Sequence, residues 1–311
     1  VMIDRTHSHS QHNRLYIDTD GDGHLDDETA LIAHRCSQPA VKGYVTLFAP
    51  RKVLLDKEGG ARAYHLMFCF YGTGELCAGS AGWYEGDVMV GDTKTRCVLV
   101  DKNADGTFTT QLLDYARSDM FGFGQGDERT VRSVARYVEL ENRLYETKIT
   151  PGRGCINVAL VPSVNIAQGK VSLPKTITRI TVTGKNGSFT AQPANGMVEL
   201  PVGTYRVYEW LAERKDNNGN SWRLQGHSFG EALDFEVFKE MPTSLALGEP
   251  IYSTLEAVIA GAKTHSFMGP KLKGRWGEVI DVFKNEASVS LQLRINGERD
   301  AYDRSFTFEY G

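Results

Sequence analysis

The sequence predicts a mainly β protein made of tandem antiparallel β-sandwich modules, with little helix. Two observations carry this prediction: apolar and polar residues alternate over many short runs, and Gly, Asn or Asp interrupts the chain about every 8 to 12 residues. Alternation with a period of two turns one face of a strand toward a core and the other toward solvent. The clearest runs are 43–48, 88–90, 96–100, 143–149, 177–183, 204–211, 288–295 and 305–311.

The best helix signal is the segment 26–34. Acidic residues occupy its first turn, where they interact favourably with a helix dipole, and a short apolar stretch follows them. We therefore expect one short helix in this segment and strands in most of the remaining chain.

Length and composition shifts predict three regions in the 311 residues, since a domain takes about 150 residues or fewer. They are a β-rich domain with aspartate loops at 1–165, a β-sandwich module at 166–243 and a small immunoglobulin-like module at 244–311. A hinge-like segment at 162–169 and the prolines at 242 and 250 suggest the boundaries. In the second region, Asn186-Gly187 predicts a type I′ hairpin turn, because this dipeptide readily takes positive φ.

Composition argues against two broad classes of function. The chain has 35 Lys and Arg against 39 Asp and Glu, a formal net charge of −4, so it lacks the basic balance of nucleic-acid-binding proteins. No apolar run approaches the roughly 18 residues that a transmembrane helix needs. We expect no nucleic-acid partner and no membrane span.

The sharpest local motif is an EF-hand-like aspartate loop that follows the apolar run 15–17. Aspartates at alternate positions can direct their carboxylates to one point, and Gly23 at position six permits the sharp turn. Position twelve is Thr29, where an EF-hand has a bidentate Glu. The predicted ligands, with His24 acting through its backbone carbonyl, are Asp18, Asp20, Asp22, His24 and Asp26. This pattern predicts Ca²⁺, which prefers six to eight oxygen ligands.

A second loop, at 101–108, repeats the pattern after another apolar strand. Its predicted ligands, with Thr107 acting through its backbone carbonyl, are Asp101, Asn103, Asp105 and Thr107. Position twelve is Leu112, so a further ligand would have to come from elsewhere, with Asp114 and Asp119 as candidates. Clustered carboxylates repel one another unless a cation is present. For both loops the alternative is a tight turn in which the side chains bond only to their own backbone.

An enzymatic alternative is a calcium-dependent hydrolase that uses the Asp18 loop. The loop resembles the amino-terminal aspartate cluster of nucleoside hydrolases and the D-x-D motif of haloacid dehalogenase phosphatases, but the β character of the remaining chain argues against both folds. The sequence contains no H-E-x-x-H or P-loop motif, and His227 has no partner pattern.

A second alternative is a carbohydrate-binding module or accessory subunit, in which exposed tryptophan rings stack on sugars. Trp210 lies within an alternating strand and is expected in a core. Trp222 follows the polar loop 216–220 and is the better candidate for an exposed glycan contact.

All five cysteines lie in the first half of the chain: Cys36, Cys69, Cys77, Cys97 and Cys155. None is spaced as C-x-x-C, so a zinc ribbon or a thioredoxin-like pair is unsupported. Two disulfides and a spare thiol are compatible with the count, but spacing does not define their connectivity. Cys69 lies in the apolar run 64–71 and is expected to be buried as a small hydrophobe.

Five short motifs together resemble exported bacterial proteins of the planctomycete type, which are rich in β structure. They are 15–23, 100–108, 200–205, 274–278 and 308–311. The motif at 200–205 is also similar to the turn-to-strand element of carboxypeptidase-regulatory-like and immunoglobulin-like sandwiches. The resemblance implies secretion, β-sandwich modules and calcium loops, and it implies no particular activity.

These observations favour a non-enzymatic, exported, calcium-binding β protein with a structural, assembly or cell-surface adhesion role. The chain begins at Val1, so we expect an extracytoplasmic location, whether secreted, periplasmic or at the cell surface, after removal of a signal peptide. The expected partners are a second copy of the chain or other cell-surface proteins, with a glycan at Trp222 as a further candidate.

Overall fold

A computed structural model describes residues 1–6, 12–19, 22–37, 45–55, 62–108, 118–126, 130–141, 143–152, 155–229, 233–261, 264–296 and 303–307. Within these ranges the regular elements are β-strands, most of them paired in antiparallel sheets, which confirms the mainly β prediction. The same residues contain no helix long and apolar enough to cross a membrane. The chain forms two compact units, Val1–Ser163 and Val164–Gly311.

The described residues of the first unit form three antiparallel sheets. Its strands are β1 (Met2–Asp4), β2 (Arg14–Tyr16), β3 (Leu31–Ser37), β4 (Val45–Phe48), β5 (Arg51–Leu55), β6 (Arg62–Tyr71), β7 (Glu75–Ser80), β8 (Tyr84–Val90), β9 (Thr93–Val100), β10 (Met120–Phe123), β11 (Thr130–Ser133), β12 (Tyr137–Leu140), β13 (Arg143–Pro151) and β14 (Ile156–Pro162). A seven-stranded sheet has the order β1-β2-β3-β4-β6-β5, and β7 also pairs with β6. The other two sheets have the orders β11-β10-β9-β8 and β12-β13-β14.

Two hydrophobic clusters hold the first unit together. The larger is centred on Leu99, Phe121 and Tyr145, each at most 2% exposed. The smaller contains Leu15 and Phe48 beneath the seven-stranded sheet. Both clusters are built from alternate residues of short strands, which is the pattern that the sequence shows. The larger one anchors the strand that leads into the second aspartate loop.

The predicted helix at 26–34 is wrong. Its apolar part belongs instead to β3, whose Leu31 and Ile32 pair with Leu15 and Arg14 of β2. On its other side β3 pairs with β4. A single short turn has little intrinsic stability, because helix nucleation is unfavourable, so pairing with two neighbouring strands outweighs the helical signal of the acidic residues.

The second unit contains three sheets in its described residues. Its strands are β15 (Gln168–Ser172), β16 (Arg179–Gly184), β17 (Gly187–Ala191), β18 (Met197–Pro201), β19 (Gly203–Lys215), β20 (Ser221–His227), β21 (Asp234–Val237), β22 (Thr243–Ser244), β23 (Tyr252–Gly261), β24 (Thr264–Lys273), β25 (Val279–Lys284), β26 (Ala287–Ser288), β27 (Gln292–Asn296) and β28 (Asp303–Thr307). A nine-stranded sheet has the order β17-β16-β19-β20-β25-β24-β23, with β21 and β26 pairing at its sides. The remaining sheets are β18-β15-β22 and β27-β28.

The hairpin predicted at Asn186-Gly187 is present, because β16 and β17 pair from Gly184 and Gly187 outward. Its turn is not the expected type I′, since the positive φ of this turn falls on Gly187, at +146°, and not on Asn186. The Asn186 side chain instead donates a hydrogen bond to the backbone oxygen of Val202, at 2.7 Å. This hydrogen bond connects the 185–187 turn to the neighbouring turn at Val202.

The predicted regions 166–243 and 244–311 share one sheet. β20 lies before the predicted boundary and β25 lies after it, yet they pair over six residues, from Trp222↔Lys284 to His227↔Val279. The edge of β20 that faces away from β19 would otherwise expose its hydrogen-bonding groups, and β25 satisfies them. The division between the two units falls at 163/164, within the hinge-like segment 162–169.

Candidate metal centre

The second aspartate loop lies at the end of a central strand of the first unit. β9 ends at Val100, and Asp101 follows it directly. At the other end of the loop, Phe108 is buried in the larger cluster and its ring meets that of Tyr84 edge to face, with centroids 5.7 Å apart. Both ends of the loop are therefore held by packed apolar residues.

The Asp101 carboxylate organises the loop. Its Oδ2 accepts hydrogen bonds from the Gly106 amide and from the buried Tyr64 hydroxyl, both at 2.7 Å. Its Oδ1 accepts a bond from the Asp105 amide at 3.2 Å. Gly106 has a φ of +73°, which a side chain rarely tolerates and which explains glycine at position six. Asp101 is 2% exposed, so the loop closes over its carboxylate.

Asn103, Asp105 and Thr107 form the outer part of this loop. Asn103 Oδ1 accepts a bond from the Asp105 amide, and its Nδ2 donates to Asp105 Oδ2, both at 3.0 Å. Asp105 Oδ1 accepts bonds from the Thr107 amide and hydroxyl, both at 2.7 Å. The structure therefore brings the four residues predicted for this loop together, with their side-chain oxygens on a single turn.

Asp119 joins this loop from the next strand. β10 pairs with β9 in a register that sets Met120 opposite Val100, so the preceding residue Asp119 reaches the level of Asp101. Asp119 is fully buried, and its Oδ1 accepts a hydrogen bond from the Lys102 amide at 3.0 Å. Its Oδ2 is buried and has no hydrogen-bond partner among the described residues. A buried carboxylate oxygen left in this state is costly.

The charge of Asp101 opposes the ionisation of Asp119. Burial raises the pKa of Asp119 to about 7, and the charge of Asp101 contributes to the rise, while hydrogen bonds from the backbone amides of Lys102 and Asn103 act in the opposite direction. A small cavity of about 110 Å³ borders Asp101 and is also lined by Tyr64, Trp83 and Phe108. The site therefore combines excess negative charge with an adjacent space.

The donors of this site are hard oxygen atoms. In the ranges that the structure describes, no three His, Cys, Asp or Glu side chains are gathered as a metal cluster. A ligand set here would therefore combine Asn103 and main-chain carbonyl oxygens with the carboxylates of Asp101 and Asp119. Calcium accepts such mixed oxygen sets, whereas zinc prefers Cys and His.

The first aspartate loop is closer to the surface. The Gly23 amide donates to Asp18 Oδ2 at 3.0 Å, and the His24 amide donates to Asp22 Oδ1 at 2.7 Å. Glu28 accepts bonds from the amide and the hydroxyl of Thr19. Asp22, His24 and Asp26 are exposed, Asp18 is half-buried, and Asp20 lies outside the described residues. The loop shows the expected turn, but none of its described carboxylates is buried.

The exposure of Trp210 matches the expectation from its sequence context, whereas Trp222 is less exposed than its context suggests. Trp210 is 1% exposed, which confirms its predicted place in a core. Trp222 is half-buried: its Nε1 donates to Asp216 Oδ2 at 3.0 Å, and the Lys284 ammonium lies 5.2 Å from the centre of its ring. Trp83, at 63%, and Trp276, at 45%, are the more exposed rings.

The loop at 216–220 is an aspartate turn with saturated hydrogen bonding. Asp216 Oδ1 accepts bonds from the amides of Asn218 and Asn220, and its Oδ2 accepts bonds from the side chains of Asn220 and Trp222, at 2.9 to 3.0 Å. These bonds, the Asn220 side chain first, lower the pKa of Asp216 to about 2. Asp216 differs in this respect from Asp119.

We expect the Asp216 interaction to make the second unit sensitive to acid. The folded pKa lies below the unfolded value of about 3.9, so the stability that it contributes is present above pH 4 and is lost as the pH falls toward 2. Asp216→Asn should flatten this dependence in urea unfolding followed by tryptophan fluorescence. Identical pH profiles of variant and parent between about pH 4 and 2 would contradict the assignment.

Sequence reasoning missed two further polar contacts, although the G-x-S-x-G pattern at 226–230 was an available signal for the first of them. His227 Nε2 lies 2.9 Å from Asp281 Oδ2, and its Nδ1 lies 2.8 Å from Ser228 Oγ, beside a cavity of about 520 Å³ in the second unit. Asp281 is 54 residues away, and pairing of β20 with β25 brings it opposite Gln225, next to the histidine. Tyr64, the buried partner of Asp101, is likewise distant in sequence.

The structure therefore concentrates the strongest metal-site features at residues 101–108 and Asp119. From the sequence, Asp119 was a candidate ligand only because position twelve of the 101–108 loop, Leu112, is not an acid. The register of β10 on β9 explains why Asp119 lies next to Asp101. A comparison of the chain with protein-family models, curated proteins and solved structures found no match.

Proposed function

We propose that residues 101–108 and Asp119 bind one Ca²⁺ and that the protein is a non-enzymatic, calcium-stabilised β protein. The observation that carries this proposal is the fully buried Asp119 carboxylate, whose Oδ2 lacks a hydrogen-bond partner in the described parts of the chain. It lies beside Asp101, a second carboxylate that is almost fully buried.

A divalent cation addresses both costs of the site at once. It would neutralise the repulsion between Asp101 and Asp119, and it would give Asp119 Oδ2 a partner. The backbone amides of Lys102 and Asn103 act against these costs, yet the pKa of Asp119 remains raised to about 7. Asn103 and the Thr107 carbonyl are the further oxygen donors. Bound calcium contributes charge neutralisation and crosslinking of the loop to the strand that follows.

Such a site suits a structural role outside the cytoplasm. Extracellular calcium modules work with dissociation constants of about 0.1 to 1 mM, where binding energy becomes folding energy. The proposed role is therefore structural, in assembly or cell-surface adhesion, with a second copy or another surface protein as the partner. The exposed Asp18 loop is a weaker calcium candidate within the same proposal.

The test is thermal unfolding of the full chain in about 5 mM Ca²⁺ and in EGTA. A site with a dissociation constant of about 0.1 mM would gain about 2.3 kcal/mol at that concentration. For a unit of this size we expect the melting temperature of the first unit to rise by roughly 5–10 °C. An equal concentration of Mg²⁺ should give a smaller rise, because Mg²⁺ requires a stricter octahedral geometry.

Asp119→Asn is the decisive variant because it should have opposite effects in the two buffers. Without calcium it removes a buried charge beside Asp101, so we expect it to stabilise the first unit by about 1–3 kcal/mol. With calcium it should remove most of the calcium-dependent rise. Asp216→Asn is the matched control, since its carboxylate is fully hydrogen-bonded and its effect should be the same in both buffers. A parent melting temperature that ignores Ca²⁺ would refute the proposal.

A further inference from the structure

Cys69 and Cys77 lie directly opposite each other in the hairpin formed by β6 and β7. Their pair stands between Tyr71↔Glu75, which closes the hairpin, and Met67↔Gly79 on the same face. Directly opposed Cα atoms in an antiparallel pair are about 4.5 or 5.5 Å apart, and disulfides join Cα atoms about 4.4 to 6.8 Å apart. The register therefore provides the separation that a disulfide requires.

Both sulfur atoms lie on the outer face of this hairpin. Phe68 and Phe70 of β6 are 7% and 6% exposed, so the residue between them points away from the core. Cys69 is half-buried, which corrects the expectation that it is a buried core residue, and Cys77 is also half-buried. Neither cysteine forms a disulfide bond within the described residues. A small oxidant in solution can thus reach this pair from the outer face.

We propose that Cys69 and Cys77 form a cross-strand disulfide on exposure to a small-molecule disulfide oxidant such as oxidised glutathione. One protein thiolate attacks a glutathione sulfur, the glutathione S–S bond breaks, and one glutathione thiolate leaves. The second protein thiolate then attacks the protein-bound sulfur and displaces the other glutathione. The protein loses two electrons and two protons, and oxidised glutathione becomes two molecules of the thiol.

The surroundings of Cys77 set the expected rate. Cys77 Sγ donates to Glu75 Oε1 at 3.6 Å. Partial desolvation, followed by this carboxylate, raises the pKa of Cys77 above its ordinary value. The thiolate is the reactive species, so oxidation should accelerate as the pH rises. Glu75→Gln should also accelerate it at a fixed neutral pH, since it removes the negative charge and leaves the hairpin unchanged.

The other two cysteines whose side chains the structure describes are less suited to a pair. Cys97 is 5% exposed, and burial raises the pKa of its thiol to about 11, so it is protected from oxidants. Cys155 is exposed at the start of β14, and no described cysteine is its register partner. Cys155→Ser is therefore a suitable control variant, because it removes an accessible thiol without changing the hairpin.

The experiment incubates the folded full chain with oxidised glutathione, blocks the remaining thiols with iodoacetamide under denaturing conditions and digests it with trypsin. Residues 63–94 contain no Lys or Arg before Lys94, so a single peptide carries both Cys69 and Cys77. We expect most of this peptide to lack both alkyl groups and to be about 2 Da lighter than its reduced form. Reduction before blocking should restore two alkylated cysteines.

The variants separate this pair from other disulfides. Cys155→Ser should leave the light peptide unchanged, whereas Cys69→Ser and Cys77→Ser should each abolish it. Persistence of two alkylated cysteines in peptide 63–94 after oxidation would overturn the proposal. Linkage of Cys69 or Cys77 to a cysteine of another peptide in the parent chain would also overturn it. The calcium proposal is unaffected by either result, since its site does not include Cys69 or Cys77.

Discussion

Trp210→Ala is expected to lower the free energy of unfolding of the second unit by about 3–5 kcal/mol. The Trp210 side chain is 1% exposed, and its ring packs so closely on Gly226 that a Cβ there would lie 2.1 Å from it. Its Nε1 donates to the fully buried Glu278 at 3.2 Å. Truncation would leave a large cavity and would remove one donor from a buried carboxylate.

The effect is measurable by urea unfolding, with Trp83→Ala as the matched control. Trp83 is 63% exposed in the first unit, so its removal should change the free energy of unfolding by less than about 0.5 kcal/mol. Trp210→Phe retains most of the apolar ring but not the Nε1 donor. Its loss in free energy of unfolding should lie between those of Trp210→Ala and Trp83→Ala. Similar losses for the variants at positions 210 and 83 would contradict the assigned core.

Asp101→Ala is expected to destabilise the first unit by about 2–4 kcal/mol in calcium and by less in EGTA. The substitution leaves the Tyr64 hydroxyl and the Gly106 amide without their buried acceptor. It also removes the charge that opposes ionisation of Asp119, and this relief offsets part of the loss when no cation is present. The difference between the buffers therefore reports the cation.

Tyr64→Phe is the companion to this variant. It removes only the hydroxyl that donates to Asp101 Oδ2 and keeps the buried ring. We expect a loss of about 1–2 kcal/mol that is similar in calcium and in EGTA, measured by the same unfolding curves. If Asp101→Ala also showed equal losses in the two buffers, calcium would have no part in the stability of the loop.

Local patterns explain what could be predicted about the fold. Alternation in 143–149 and 204–211 predicted strands, because a period of two directly specifies which side chains share a face. Gly23 and Gly106 were placed correctly in sharp turns, since both have positive φ. The segment 26–34 failed for the opposite reason: its fate as β3 depends on pairing with β2 and β4, which no local pattern encodes.

The candidate site shows the same division. Asp101, Asn103, Asp105 and Thr107 are close in sequence, so their common turn was predictable from spacing alone. Asp119 reaches them through the register of β10 on β9, and Tyr64 reaches Asp101 from β6. Burial of Asp101 and Asp119, on which the proposed preference for this loop over the Asp18 loop rests, depends on the packing of the first unit.

The β class of this protein and the turns of its aspartate loops could be predicted from sequence, because both follow from the preferences of neighbouring residues. Three contacts are seen only in the folded chain: Cys69 lies opposite Cys77, Trp210 donates a hydrogen bond to Glu278, and Asp119 is buried beside Asp101. These contacts depend on strand register and burial. The free energies that select them are shared among many distant residues, so no short motif can specify them.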